Sequence, residues 1–326
     1  MNILFYGFRH GHILSCYRAL QKHPEYTILA ALEDDEAARL AAEANLGISF
    51  DLGSYSQWLE DPRVEAVAIG GAFGDRGAAI IQALRHGKHV LSDKPICSDL
   101  AQLEEIRALA RKNRCKIGCL LDLRETPAVQ RAKALFDSGR MGEVRNITFT
   151  GQHYLDYDHR PTWYYEPGKH GGTINDLAIH GVDLITYLTG HRIEQVQSAR
   201  CWNAFAHRHP DFRDCATFMA ETDQGAGVLA DVSYSAPNLC FSMPTYWNFQ
   251  IWCDRGLATF CYANPDVTIY EAGASAPEIL PGIPPAVTIA DAFAAEIQLD
   301  TDRITESVLA ATESTLRIQQ AADLQP

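Results

Sequence analysis

The sequence predicts an α/β protein in two parts, a doubly wound parallel sheet followed by an α/β domain with a large, mostly antiparallel open sheet. Three observations carry this. The first third alternates short continuous apolar runs with amphipathic helical stretches, the pattern of a parallel sheet covered on both faces. From about residue 123 strand follows strand, separated by turn signals such as DQG, RG and NPD. The length, 326 residues, exceeds what a single core usually organises. The boundary falls between residues 1–122 and 123–326.

Ile3 to Tyr6 is an apolar run that ends at Gly7, and Ile13, Tyr17 and Leu20 then share one helical face. Tyr26 to Leu32 is the second run, followed by the helix-forming DEAARLAAEAN and the stop signal Gly47. VEAVAIGG supplies a third strand and DRGAAIIQALRHGKH its helix. HVLSDKP is a strand closed by a proline that cannot continue a ladder, Leu100, Leu103, Ile106 and Ala110 mark a helix, and KIGCLL the next strand. In the second part TPAVQRAKALFDSG and GGTINDLAIHGVDLITYLTG read as helices. EVRNITFTGQ, DCATFMAET, GAGVLADVSYSA, NFQIWCD, LATFCYA and VTIYE read as strands, and SAPEILPGIPPAV as a loop. Ile304, Val308, Ala311 and Ile318 then line one face of a final helix that can pack back on the first part.

Composition narrows the function classes. The 28 Lys and Arg against 41 Asp and Glu give a formal net charge of -13 without a basic run, which disfavours nucleic acid and anionic membranes as partners. No apolar stretch approaches the ~20 residues of a membrane span, and no basic, apolar leader opens the chain, so a soluble, cytoplasmic protein is expected. The nine cysteines are scattered, without a CxxC pair, and read as buried reduced thiols.

The turn after the first strand, GFRHGH, places Gly7, Arg9 and His12 on the three seats that glycines hold in a GxGxxG dinucleotide cradle, with Gly11 one place early. A generic βα turn accounts for it equally well. At the end of the second strand LEDD puts Glu33 where an acid binds the ribose hydroxyls, with Asp34 and Asp35 beside it; three acids repel a 2′-phosphate and favour NAD over NADP. Asp176 and His180 stand at i and i+4 on one helical face, and Lys94 follows a parallel strand at the carboxyl end of the sheet. A surface ion pair and a solvated loop lysine are the bland alternatives.

Over nearly its whole length, through LEDPRVEAVAI, ALRHGKHVLSDKP, TPAVQRAKALFDSGRMGEV and HGGTINDLAIHGVDL, the chain resembles the Gfo/Idh/MocA oxidoreductases. The resemblance implies an N-terminal Rossmann domain that binds the dinucleotide. It also implies a C-terminal domain that binds substrate and forms a homodimer or homotetramer through its open sheet. The family's Glu-Lys-Pro signature appears as Asp93, Lys94 and Pro95, and its second signature as Asp176 and His180 after Gly171 and Gly172. By this resemblance Lys94 lies near the nicotinamide and the substrate hydroxyl, Asp176 binds or orients substrate, and His180 moves the proton. Histidine, with an unperturbed pKa near ~6.5, suits removal of a hydroxyl proton.

The implied cofactor contacts are Gly7, Phe8, Arg9, His10, Gly11, His12, Glu33, Gly71, Ala72, Asp93 and Lys94. The chain departs from the family at Arg9, at Gly71, Ala72 and Phe73 in place of a Thr-Pro-Asn type stretch, at Arg76 where histidine is frequent, and at Asp93 for glutamate. DYDHRPTWYYEPGKHGG offers Arg160, Trp163 and Tyr164 as substrate contacts; alternatively Trp163 and the tyrosines pack the helix against the sheet or a neighbouring subunit. His207, His209 and Asp211, or His170 with Asp176 and His180, are conceivable metal ligands, but no metal is expected.

The expected activity is NAD-dependent hydride transfer at a hydroxyl-bearing carbon of a sugar, polyol or cyclitol. The rivals are a glycosidase or lyase that oxidises transiently without net redox, and a non-catalytic sensor of sugar or dinucleotide.

Overall fold

The computed structural model describes residues 1–324. The chain divides into two compact units, one formed by Met1–Leu120, Pro161–Gly171 and Ile289–Thr312, the other by Leu121–Arg160, Gly172–Thr288 and Glu313 onward.

In the first unit β1 (Asn2–Tyr6), β2 (Thr27–Leu32), β3 (Ala66–Ile69), β4 (His89–Ser92) and β5 (Ile117–Cys119) form a five-stranded parallel sheet in the order β2-β1-β3-β4-β5. The order reverses between β1 and β3, so the turns leaving those two strands flank the crevice where doubly wound folds bind ligands. Ile3, Leu4 and Phe5 of β1 and all four residues of β3 are fully buried, as expected of strands covered on both faces. The helices between them are α1 (Gly11–Gln21), α2 (Glu36–Leu46), α3 (Tyr55–Glu60), α4 (Phe73–Arg85) and α5 (Leu100–Asn113).

Side-chain caps explain where three of them start. Asp35 accepts from the Ala38 N–H, Asp99 from the Gln102 N–H, and Ser54 with Gln57 closes a reciprocal capping box. The short helix α3 is absent from the periodicity reading because six residues are too few to show a 3.6 period, although its S-x-x-Q signature is present in the sequence.

The second unit holds α6 (Pro127–Asp137), β6 (Val144–Tyr154), α7 (Ile179–Thr189), β7 (Ile193–Trp202), β8 (Cys215–Thr222), β9 (Gly227–Ala236), β10 (Asn248–Cys253), β11 (Gly256–Cys261), β12 (Asn264–Glu271) and β13 (Glu278–Leu280). The strands form one eight-stranded sheet in the order β13-β12-β11-β10-β6-β9-β8-β7. Only β6 and β9 pair in parallel; the remaining ladders are antiparallel, so the sheet is mostly antiparallel, as expected. Phe149, Phe249 and Phe260 stack over it, with Phe218 edge-on to Phe149, at centroid spacings of 5.0–5.8 Å. Helix α7 lies directly on this layer, because a Cβ at Gly181 would stand 2.2 Å from the Phe149 ring.

Two strands escape the sequence pattern. β7 buries only Ala199 and Cys201 among its ten residues and so lacks an apolar alternation. β13 lies inside the stretch read as a loop, where Val267 and Ile269 of β12 pair with Leu280 and Glu278. Two helices complete the chain, α8 (Ile289–Leu299) and α9 (Arg303–Asp323). The periodicity reading found the second and passed over the first.

Candidate active site

In the first unit the turn after β1 is built for close approach. Gly7 has φ +79°, and a Cβ there would lie 2.6 Å from the Gly71 nitrogen. Helix α1 starts at Gly11 with no side-chain cap from His10, and Cβ atoms built on Gly11 and Gly71 meet nothing within 4 Å. An uncapped helix N-terminus beside two glycines facing open space is what a pyrophosphate requires, so these residues fit a dinucleotide.

Arg9, the departure on the second cradle seat, turns toward the acid at the end of β2. Its Nε donates to Glu33 Oε1 at 2.9 Å and its Nη2 lies 3.6 Å from Asp35. Glu33, nearly buried, also accepts the backbone N–H groups of Phe8 at 2.6 Å and Asp35 at 2.9 Å. Asp34 accepts from the Tyr6 hydroxyl at 2.5 Å. Burial and that carboxylate together push the Tyr6 phenol well above its ordinary pKa.

Asp93, Lys94 and Arg76 form a second cluster in this unit. Asp93 is fully buried and accepts from the Lys94 N–H at 2.7 Å and from Arg76 Nη2 at 3.1 Å. His10 Nδ1 lies 2.7 Å from its Oδ2 and His12 Nδ1 3.1 Å from its Oδ1. Burial alone would raise the Asp93 pKa; the Arg76 charge, with His10 and His12, overrides this and holds the carboxyl well below the usual range. For His10, burial outweighs the attraction of Asp93 and pushes the imidazole pKa down to about 4. With the carboxylate ionised and the imidazole neutral, His10 donates its Nδ1–H to Asp93.

His10, His12 and Asp93 are the one group among the described residues whose donor atoms lie within 4.8 Å of one another as metal ligands do. Both imidazoles, however, already hydrogen-bond to a carboxylate that Arg76 neutralises, so the group is satisfied without a cation. His207, His209 and Asp211 form no such cluster among the described residues.

Phe73 is the hub of an aromatic layer in the same unit. Its ring packs with Trp163 at 4.9 Å, His10 at 5.4 Å, Tyr164 at 5.5 Å and His170 at 5.6 Å. The Arg76 guanidinium lies 4.6 Å and the Lys94 ammonium 5.8 Å from its centre. The segment Pro161–Gly171 is fastened beside the cradle. Trp163 Nε1 donates to the Arg9 carbonyl at 3.3 Å, the Gly74 N–H to the Lys169 carbonyl at 2.8 Å, and Lys169 Nζ pairs with Asp75 at 2.7 Å. Trp163 and Tyr164 are thus buried against Phe73.

In the second unit Asp176 lies in a π-helical turn, Ile174–Ala178, that runs into α7. The single helix expected here is therefore wider in its first turn. Gln319 of α9 accepts the N–H groups of Ile174 at 3.0 Å and Asn175 at 3.3 Å, capping the turn. Asp176 is buried and accepts a hydrogen bond from the Tyr234 hydroxyl of β9. His180, also buried, packs edge-on to Trp247 at 5.1 Å, and its Nδ1 is 3.8 Å from Asp122 Oδ1. Arg124 holds Asp183, one turn further along α7, through both carboxylate oxygens. The Arg160 guanidinium donates to the carbonyls of Tyr154 at 2.5 Å and Leu155 at 2.6 Å and lies 5.8 Å from the Tyr234 ring.

Tyr234, Trp247 and Asp122 are absent from the sequence reading. Each reaches the π-turn or α7 from more than 50 residues away, so no local motif announces them.

Residues 1–120 match the model of the oxidoreductase family with an NAD-binding Rossmann fold, and residues 129–259 that of the GFO/IDH/MocA C-terminal domain. Trans-1,2-dihydrobenzene-1,2-diol dehydrogenase of Oryctolagus cuniculus is 28% identical over 185 residues, 56% of this chain and 55% of that protein. The scyllo-inositol 2-dehydrogenase (NAD(+)) of Bacillus subtilis is 31% identical over 187 residues, 55% and 51% of the two chains. The chain thus aligns with about half the length of these curated relatives.

Among solved structures, an inositol dehydrogenase homolog from Azotobacter vinelandii complexed with NAD+ superposes with a TM-score of 0.82 at 17% identity, over 100% of this chain and 96% of that one. Levoglucosan dehydrogenase in complex with NADH and levoglucosan gives 0.81 at 16% identity, over 99% and 97%. Both likenesses establish the fold. With both family models matched in chain order on the two sheets, the chain belongs to the Gfo/Idh/MocA family of oxidoreductases.

Proposed function

We propose that the protein is an NAD-dependent oxidoreductase transferring hydride between nicotinamide and a hydroxyl-bearing carbon of a sugar, polyol or cyclitol. The observation that carries the reading is the buried pair of Asp176 and His180 at the start of one helix, the carboxylate held by Tyr234, in a chain whose first unit has an open cradle at α1. Relatives named for inositol, levoglucosan and dihydrodiol dehydrogenation support the substrate class.

Gly7, Gly11, Gly71 and the N-terminus of α1 would hold the pyrophosphate, and Glu33 the ribose hydroxyls. The bound nicotinamide supplies the acceptor for hydride. His180 takes the hydroxyl proton as the C–H hydride leaves the same carbon, which leaves a carbonyl. Lys94 polarises the reacting oxygen, and Asp176, fixed by Tyr234, orients a neighbouring hydroxyl. Arg9 has its charge committed to Glu33 and Asp35, and the acids Glu33, Asp34 and Asp35 disfavour a 2′-phosphate; these support NAD over NADP.

The same reading has the protein self-associate through the open sheet, whose strands expose Met219, Leu229, Trp252, Tyr270 and Ile279. Among the described residues no helix is long and apolar enough to cross a membrane. Seven of the nine cysteines are buried, which suits the cytoplasm assigned here.

Fluorescence titration with NADH and NADPH, then a polyol and sugar oxidation screen at 340 nm, tests the proposal. Tighter binding of NADH, weakened in Glu33→Ala, with turnover lost in His180→Ala, is the expected result. Absence of binding by either nucleotide overturns it, and product formed without net NADH points to transient oxidation instead.

A further inference from the structure

Arg76 is a fully buried arginine that the proposed chemistry does not use, and it bridges two loops at the carboxyl end of the parallel sheet. Its Nε donates to the Gly71 carbonyl, after β3, at 2.8 Å. Its Nη1 donates to the Lys94 carbonyl and, at 3.3 Å, to that of Pro95; its Nη2 donates to Asp93 Oδ2 at 3.1 Å. One rigid fork thereby satisfies acceptors on the cradle loop and on both sides of the Lys94 peptide. Asp93 closes the circuit, since it accepts from the Lys94 N–H, from His10 of the β1–α1 turn and from His12 in the first turn of α1. The Lys94 side chain emerges from this clamp, 4% exposed, over the Phe73 ring that Arg76 also covers.

We propose that Arg76 is a positioning residue which, through Asp93 and the Lys94 and Pro95 carbonyls, fixes the Lys94 ammonium and ties it to the cradle loop at Gly71. The inference rests on the reading that Lys94 acts on the reacting oxygen. A lysine at position 76 keeps the charge but not the planar fork, so it cannot reach Gly71, Asp93 and Lys94 together.

The test compares wild type with Arg76→Lys. Folding is established by melting and circular dichroism, and NADH affinity, kcat and KM are measured alongside the acetylation rate of Lys94, read by mass spectrometry against exposed Lys112. The expected result is a loss of about 10-fold or more in kcat, with NADH affinity held within about 3-fold and a changed Lys94 acetylation rate. Loss of stability alone would lower all activities together and leave Lys94 reactivity in the folded fraction unaltered.

Asp93→Glu lengthens the other arm of the clamp and takes the place of Arg76→Lys if that variant does not fold. Unchanged kcat and unchanged Lys94 reactivity in the folded variant overturn the proposal. If wild type oxidises no alcohol yet the substitution alters Lys94 reactivity, the dehydrogenase reading fails and the positioning role stands.

Discussion

Acidification should weaken the protein through one histidine. The His10 imidazole is 14% exposed and has its pKa lowered from 6.5 to about 4, chiefly by burial, with Asp93 pulling the other way and His12 and Lys94 adding to the depression. Above about pH 6.5 the ring is neutral in both folded and unfolded chains and contributes no pH dependence. Below that, the unfolded chain binds a proton that the folded chain refuses, so stability falls as pH drops from about 6.5 to about 4. Linkage between these two values gives a loss of about 2 kcal/mol at about pH 5 and about 3.4 kcal/mol once both states are protonated. Asp93 acts outside this window. Its folded pKa is depressed, so its contribution is intact above the unfolded carboxylate value near ~3.9 and is lost only at lower pH.

The perturbation is His10→Asn, whose amide N–H can still donate to Asp93 but does not titrate. In urea unfolding followed by tryptophan fluorescence at about pH 7.5 and about pH 5, wild type should lose about 2 kcal/mol more than the variant. Half-buried His89 and buried His191, also shifted down, titrate in both proteins and cancel in the difference. An NMR titration of the imidazole reads the same quantity directly. Equal losses in the two proteins, or a His10 ring titrating near 6.5, would refute the burial of this ring against Asp93.

Two further outcomes are expected. Tyr234→Phe removes the hydroxyl that donates to buried Asp176, and a hydrogen bond to a charged group of about 1.5–3 kcal/mol corresponds to about a 10- to 160-fold loss in kcat/KM with NADH binding retained. Steady-state kinetics showing no change would remove Tyr234 from the site. Gly7→Ala places a Cβ 2.6 Å from the Gly71 nitrogen at a φ of +79°, so melting temperature and NADH affinity should both fall, with about 1–3 kcal/mol of strain. A variant that melts and binds like wild type would show that the β1 turn is looser than its geometry.

What the sequence disclosed follows from the range of the forces involved. The parallel sheet was legible because β1, β3 and β4 are buried on both faces and so appear as unbroken apolar runs. β7 was not, since its pairing with β8 rests on backbone hydrogen bonds that leave no apolar alternation. Lys94, Asp176 and His180 are proposed from the motifs around them, whereas partners such as Arg76, Tyr234 and Trp247 come from elsewhere in the chain. Arg76 stood out only as a departure from the family, and its four acceptors lie on Gly71, Asp93, Lys94 and Pro95. The reach of Arg9 to Glu33 likewise depends on two turns that only the folded sheet brings side by side.

The π-helical turn at Ile174–Ala178 makes this stretch sensitive to length as well as to composition. A π turn holds one residue more than the α-helix would place there, so removing a single residue between Gly172 and Asp176 lets the backbone relax to an ordinary helix. His180, downstream, would keep its place, while every residue upstream of the deletion would rotate by about 100° about the axis. The capping contacts of Gln319 with Ile174 and Asn175 would then lose their register. Single-residue gaps at this point in a comparison of related chains would mark a change in how the chain enters this turn from Gly171 and Gly172, even where the aspartate and the histidine are both kept.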